Sequence, residues 1–152
     1  MVRLAEIDPG MRAFLTHYKC PPIDTHAWSR GPDLSERRVA LISSAGLRRR
    51  DDRPFDIGAI DYRILPMEKR DEIIQDHTNA SHDRTGYLQD LNTIFPLDRL
   101  DEMAASNEIG SAADYHYSFM GATQAEALEP DVRRLAGLLK ADEVDTVVLC
   151  PV

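Results

Sequence analysis

Two hydrophobic periods alternate along this chain. Val39-Ala40-Leu41-Ile42 is an unbroken apolar run that ends in serines and the turn Ser44-Ala45-Gly46. Val147-Val148-Leu149-Cys150 is a second such run, close to the last residue, Val152. Runs this short, β-branched and apolar on both faces read as buried parallel strands. Tyr62-Arg63-Ile64-Leu65, stopped by Pro66, and Tyr117-Ser118-Phe119-Met120, ended by Gly121, predict two more. Between them the period lengthens to that of a helix. Met11, Phe14, Leu15 and Tyr18 follow the start signal Asp8-Pro9 and predict a helix to about Lys19, ended by Cys20-Pro21-Pro22. Leu97, Leu100, Met103 and Ala104 form a stripe after Pro96. Val132, Leu135, Leu138 and Leu139 form another, on a helix expected to start near Pro130, because that proline interrupts the capping-box pattern Thr123–Glu126.

The intervening segments are polar. Residues 48–53 read as a solvated loop, and residues 68–95, rich in His, Asp and Asn, as a long irregular one; loops of that length inside compact domains are usually functional. Residues 108–115 are expected to add a helical turn or two. The order of strands and helices predicts an α/β fold: one three-layer domain over residues 35–152, with a mostly parallel, incomplete sheet. Residues 1–34 are expected to form an N-terminal helix and an extended arm.

Composition narrows the function more than the fold. The 152 residues are 43% hydrophobic and 29% charged, as in ordinary soluble domains. A net charge of −8 argues against nonspecific nucleic-acid binding and against docking on an anionic membrane. No apolar run is long enough for a membrane helix and no signal-peptide pattern is present, so a cytoplasmic location is the default expectation. Two cysteines, Cys20 and Cys150, are too few for a disulfide framework and lack zinc-ligand spacing.

Four places could carry chemistry. The Ser43–Gly46 turn follows a strand, so its N–H groups could hold an anion, or it is simple turn chemistry; it lacks the spacing of a P-loop or dinucleotide fingerprint. His77 and His82, with Asp83, sit in the polar loop. Their spacing of five puts the histidines on no common helical face, and acid/base or hydrogen-bonding roles suit them better than metal binding. His116 enters a strand and is either a satisfied core histidine or a site residue. Cys150 is either a small inert hydrophobe or the border of a redox motif.

Several blocks occur together in an order that resembles a known family. They are Val39-Ala-Leu-Ile-Ser-Ser-Ala-Gly46, Asp61-Tyr-Arg-Ile-Leu-Pro66, Ser81-His-Asp83, Asp90-Leu-Asn-Thr-Ile-Phe-Pro-Leu-Asp-Arg-Leu100, Glu108-Ile-Gly110, His116-Tyr-Ser-Phe-Met-Gly121 and Val144-Asp-Thr-Val-Val-Leu-Cys-Pro-Val152. The resemblance is to the selenoprotein B subunit of the glycine/betaine/sarcosine/D-proline reductases, nearest the proline-type branch, from about Ser35 onward. It implies a reductase that cleaves a C–N bond in an amino acid or methylated amine, with a selenocysteine or cysteine as nucleophile and dithiols as electron source. It further implies that this residue, with a second cysteine soon after, follows a strand ending like Leu149-Cys150-Pro151-Val152. The expectation is therefore a chain whose translation stopped at an in-frame UGA, and which has little or no reductase activity alone.

On this reading Cys150, His82 and His116 are candidate catalytic residues, and Ser44, Gly46, Arg63, His77, Asp83 and Asn92 candidate substrate-binding residues. Arg63 suits a bidentate carboxylate contact or a structural ion pair. No metal is expected. The resemblance implies as partners a small amino-acid or amine substrate, a pyruvoyl-bearing reductase subunit and a thioredoxin-like or other dithiol reductant. An unfinished sheet edge adds a homo-oligomer. Glu143 departs from expectation, standing where glycine would more comfortably close a helix. The alternative reading is a non-catalytic α/β module for ligand binding or subunit assembly.

Overall fold

The computed structural model describes residues 3–17, 22, 29–78, 84–121 and 123–152. The central strand is β1 (Arg38–Ser43), whose Val39, Ala40 and Leu41 are all buried. On one side it pairs in parallel with β5 (Ser111–Ala112) and then β6 (Tyr115–Phe119). On its other side β7 (Thr146–Cys150) pairs in parallel along five residues, from Val39↔Thr146 to Ser43↔Cys150. Outside β6 lies β3 (Tyr62–Pro66), antiparallel, in register Tyr62↔Phe119 to Pro66↔Tyr115. The sheet is thus mixed, with parallel pairings at its centre and one antiparallel edge.

Alternation along β1 sends its side chains to two cores. Val39 and Leu41 join Leu65, Phe95, Leu97, Leu100 and Ile109 on the face covered by α3 (Leu97–Ala105). Ile42 joins Tyr117, Phe119, Leu128, Leu135 and Leu139 on the face covered by α4 (Ala125–Ala141). Helix, sheet and helix make the three layers expected for α/β patterning.

Several local expectations are corrected. The arginine-rich stretch is not all loop: β2 (Leu47–Arg49) pairs antiparallel with β4 (Ile73–Gln75) in a separate two-stranded sheet. Arg48 donates to Asp76 at 2.7 Å and Arg49 to Asp52 at 2.7 Å, so the charges that suggested a loop are the clamps of a small sheet. Residues 67–95 likewise contain a 3-10 turn, β4 and the short helix α2 (Thr85–Gln89). The helical turn expected within residues 108–115 is instead the two-residue strand β5.

α4 starts five residues before Pro130 and carries it in its second turn. The N–H that proline lacks would have bonded the Glu126 carbonyl, which lies in the exposed first turn and is open to solvent. Thr123 does not cap this helix; its hydroxyl donates to the Ala59 carbonyl. Leu135 is buried, but Val132 and Leu138 remain 45% and 38% exposed, so half of the predicted stripe lies on the helix flanks. Glu143 adopts φ 55° just after α4, the left-handed conformation that glycine would take without strain. α1 (Pro9–His17) has no buried residue. Among the described residues no helix is long and apolar enough to cross a membrane.

Candidate functional site

The carboxyl ends of β1, β6 and β7 meet, and there the backbone itself is packed to contact. Gly46 (φ +64°) ends the β1 turn, and a Cβ there would lie 2.9 Å from the His77 Cα. Gly121 (φ +99°) ends β6, and a Cβ there would lie 2.8 Å from the Ser44 carbonyl oxygen and 3.5 Å from His77 Nε2. Only glycine meets both demands, positive φ and no side chain. The close approach is locked by hydrogen bonds. Gly46 N–H donates to the Phe119 carbonyl at 2.9 Å, and Asp76 N–H donates to the Gly46 carbonyl at 2.8 Å. Arg84 donates to the His77 carbonyl at 3.0 Å, and the Thr78 hydroxyl lies 3.1 Å from Met120 Sδ.

β7 is tied to the same turn. Ser44 N–H donates to the Cys150 carbonyl at 3.2 Å, and Val152 N–H donates to Ser44 Oγ at 2.9 Å. Ala45 N–H donates to Ser43 Oγ at 3.1 Å, and Leu47 N–H to Ser118 Oγ at 2.9 Å. Every N–H from Ser44 to Leu47 is therefore engaged within the chain. The turn is not an open anion nest, and the Ser44 hydroxyl, which accepts the Val152 N–H and donates to the Val152 carbonyl at 3.5 Å, is engaged as well; what borders the groove is a glycine-floored surface. A groove of about 220 Å³ opens beside it, lined by Ser44, Phe119, Gly121, Leu128, Leu149 and Cys150.

Of the sequence-derived residues, Ser44, Gly46, His77 and Cys150 come together at this end of the sheet. His77 is 5% exposed. Cys150 packs against the α3-side core, and burial pushes its thiol pKa up, which disfavours the thiolate. His82 and Asp83 lie outside the described residues, as does Cys20.

The other three candidates are occupied elsewhere. His116 is fully buried, its ring edge-on to Phe95 with centroids 5.8 Å apart. Its Nδ1 accepts the Leu41 N–H at 2.9 Å, where the β1 ladder passes from β5 to β6 and no backbone partner is in register. The imidazole replaces a missing carbonyl. That role requires the neutral ring protonated at Nε2, and burial pushes the pKa down to about 4. Arg63, 9% exposed, donates to Asp61 and to the carbonyls of Arg53, Tyr62 and Pro54, and stacks 4.2 Å above Phe55. Its fork is committed to the 53–62 loop, the structural alternative of the two. Asn92 bridges Asp90 and Asp98, and its Oδ1 accepts the Asp98 N–H at 2.9 Å in the first turn of α3.

Gly121 is the site residue that sequence reasoning treated only as punctuation. A glycine directly after a strand, in the same edge as Gly46, was the available signal. Among the described residues no group of three or more His, Cys, Asp or Glu could hold a metal ion.

Comparison with known proteins decides the family. The model of the glycine/sarcosine/betaine reductase selenoprotein B family matches residues 10–152. The chain belongs to that family. It is 27% identical over 121 residues to the D-proline reductase subunit gamma of Acetoanaerobium sticklandii, covering 77% of this chain and 49% of that protein. It is 29% identical over 123 residues to the glycine reductase complex component B subunit gamma of Carboxydothermus hydrogenoformans, covering 77% of this chain and 28% of the relative. The chain thus spans half or less of the length of these relatives. No solved structure matches it.

Proposed function

We propose that this chain is the N-terminal portion of a selenocysteine- or thiol-dependent reductase subunit of the proline-reductase type. Its substrate is an amino acid or methylated amine of the glycine, sarcosine, betaine or D-proline kind. In the overall reaction a C–N bond breaks, carbon and nitrogen each take a proton, and two thiols close to a disulfide to supply the two electrons. The observation that carries this reading is the convergence of the β1, β6 and β7 ends on Gly46, Gly121, Ser44 and His77. Ligands of open α/β sheets bind outside the carboxyl ends of their strands. Ser44 borders the groove and the buried His77 ring lies behind Gly121, while Leu128 and Leu149 give the groove apolar walls.

The redox residue belongs to a part of the protein outside these 152 residues. Burial raises the Cys150 thiol pKa, which favours Cys150 as a small hydrophobe bordering the redox position over Cys150 as the nucleophile itself. A selenocysteine or cysteine next to β7 would stand beside the groove, with Ser44 and His77 as neighbours. His116 acts through the strand it patches, since it faces the α3-side core and not the groove. A pyruvoyl-bearing subunit, a dithiol or thioredoxin-like reductant, a cytoplasmic location and homo-oligomerisation complete the proposal.

The test is incubation of the chain with a dithiol and each of the four substrates, alongside calorimetric titration of the same compounds. The expected result is no turnover by the chain alone and saturable binding of one substrate, weakened by Gly121→Ala. Dithiol-dependent turnover by these 152 residues would refute the assignment of the redox residue. Absence of binding by all four would favour the assembly-module reading, which gains weight because no described thiol is activated.

A further inference from the structure

A second cleft lies at the opposite end of β6 from the groove beside Gly121. It encloses about 260 Å³ and is lined by Ile64 of β3, Tyr115 and Tyr117 of β6, and Leu138, Ala141 and Asp142 at the end of α4. β3 and β6 lie across β1 from β7, so these walls are complete within the chain. The rim is apolar and half-open: Tyr115 is 46% exposed, Ile64 41% and Leu138 38%. Leu138, which the helical stripe placed on the sheet, thus faces this cleft.

The cleft also holds a hydroxyl with no partner. Tyr117 is 2% exposed, and its ring packs edge-on against Tyr62 with centroids 5.9 Å apart. Its phenol oxygen makes no hydrogen bond among the described residues. Unlike the Tyr87 hydroxyl, it is not sealed in the core, and the cleft is where it opens. Burial first, then the Asp142 carboxylate and the Tyr62 and Tyr115 hydroxyls, push its pKa up to about 12, so at neutral pH it is a donor. Polar groups on residues this deeply buried almost always find a partner. A lone water suits the place badly, because it wants two or more polar partners and the walls are the carbon of Ile64, Leu138 and Ala141.

We propose that this cleft binds a neutral, largely apolar molecule, the size of one substituted ring, whose carbonyl or ether oxygen accepts the Tyr117 hydroxyl. The charged groups beside it select against an anion. Asp142 adds negative charge to the wall, its Oδ1 accepting Arg38 at 2.6 Å and its Oδ2 the Tyr115 N–H at 3.4 Å. Every Arg38 N–H is engaged, with Asp142, Asp114, Ser111 or the Ala112 carbonyl, and none is left for a ligand. The substrates proposed above all carry a carboxylate, so this is a separate site for a separate class of molecule, and it does not depend on the reductase reading.

The test is amide NMR of the isotope-labelled chain, titrated with acetophenone, toluene and benzoate. Acetophenone is expected to shift the amides of Ile64, Tyr115, Tyr117 and residues 138–142 saturably, with a dissociation constant on the order of millimolar for so few atoms. Toluene lacks the acceptor and is expected to bind about fivefold more weakly. Benzoate is expected not to saturate at these residues. Tyr117→Phe removes only a hydroxyl that has no partner in the fold. Its urea midpoint should therefore stay at or above that of wild type, while acetophenone loses its advantage over toluene. Leu138→Trp fills the cleft and should abolish binding of both, with the amides of β1 and β7 unmoved. Acetophenone that leaves the cleft amides unmoved up to its solubility, or that shifts Ser44, Gly121 and Leu128 in their place, overturns the proposal. So does a preference for acetophenone that survives Tyr117→Phe.

Discussion

Stability of this protein should fall with acid through one residue, His116. In the folded chain its ring must stay neutral, because Nδ1 accepts the Leu41 N–H at 2.9 Å and the whole side chain is buried. Burial lowers its pKa from 6.5 to about 4, outweighing the attraction of Asp101 and Asp142; Arg38 and Arg70 push the same way as burial. The unfolded chain therefore binds a proton near pH 6.5 that the folded chain refuses until about pH 4. Stability is complete above pH 6.5 and is lost progressively as pH falls from 6.5 toward 4. Two and a half pKa units correspond to about 3 kcal/mol in full, and about 2 kcal/mol of that is gone by pH 5. Asp52 and Asp90, whose carboxyl pKa values are lowered, lose their contributions below about pH 4, outside this window.

The assay is urea unfolding followed by circular dichroism at pH 7.5 and pH 5, on dilute wild type and His116→Asn. Asparagine can place Oδ1 close to where Nδ1 stood, so it keeps an acceptor for Leu41 but does not titrate. It should be less stable than wild type at pH 7.5, having lost the Phe95 contact, yet lose about 2 kcal/mol less between the two pH values. Identical pH dependence in the two proteins would refute the assignment of the acid sensitivity to His116. His116→Ala, which orphans the buried Leu41 N–H and opens a cavity, should cost about 3 kcal/mol at pH 7.5.

Three further outcomes follow from strained or committed positions. Glu143→Gly relieves a left-handed non-glycine residue after α4 and should raise stability by about 1 kcal/mol, read as a higher melting temperature. Gly121→Ala drives a Cβ to 2.8 Å from the Ser44 carbonyl at φ +99° and should cost about 2–3 kcal/mol in urea unfolding; a neutral result would show that the strand ends are not held as described. Arg63→Lys keeps the charge but loses the fork that serves the Arg53, Tyr62 and Pro54 carbonyls, and should destabilise by about 1–2 kcal/mol without changing substrate affinity. Reduced affinity at unchanged stability would return Arg63 to the binding site.

How much of this was legible depends on the range of the interactions involved. β1 announces itself because both of its faces are packed, so an apolar run survives in the sequence; β7 carries the same kind of run and pairs as expected, but it is not the buried strand that the run predicts, with Val148 and Leu149 41% and 71% exposed. β2 and β4 do not announce themselves. They are three residues each, and the arginines that hold them are satisfied by Asp52 and Asp76, the second of which is 28 residues from its partner Arg48. α4 was shortened in the sequence reading because Pro130 is a strong breaker in general, and only solvent around the first turn makes it tolerable here. The site was half visible: Gly46 and His77 stand in motifs, but that one packs on the other is a tertiary fact. Arg63 and Asn92 looked like ligand residues because their partners are carbonyls and capping N–H groups, which composition cannot show.

The two histidines near the sheet divide the problem of function between them. His116 is spent on the ladder, and its depressed pKa is the signature of a structural acceptor, although a perturbed titration in a sheet core would ordinarily flag a catalytic group. His77 sits at the end of the sheet with its backbone pressed on Gly46 and its Nε2 near the place that Gly121 keeps clear. A Cβ at Gly46 would strike the His77 backbone and one at Gly121 the Ser44 carbonyl, so both glycines are required by close packing of the strand ends around a buried histidine. The groove beside them, lined by Ser44, Gly121 and Leu149, is where a ligand would meet this end of the sheet. The binding reading and the reductase reading both put a ligand at this end of the sheet; what they dispute is whether a bond is reduced there, since the non-catalytic module carries no reducing residue.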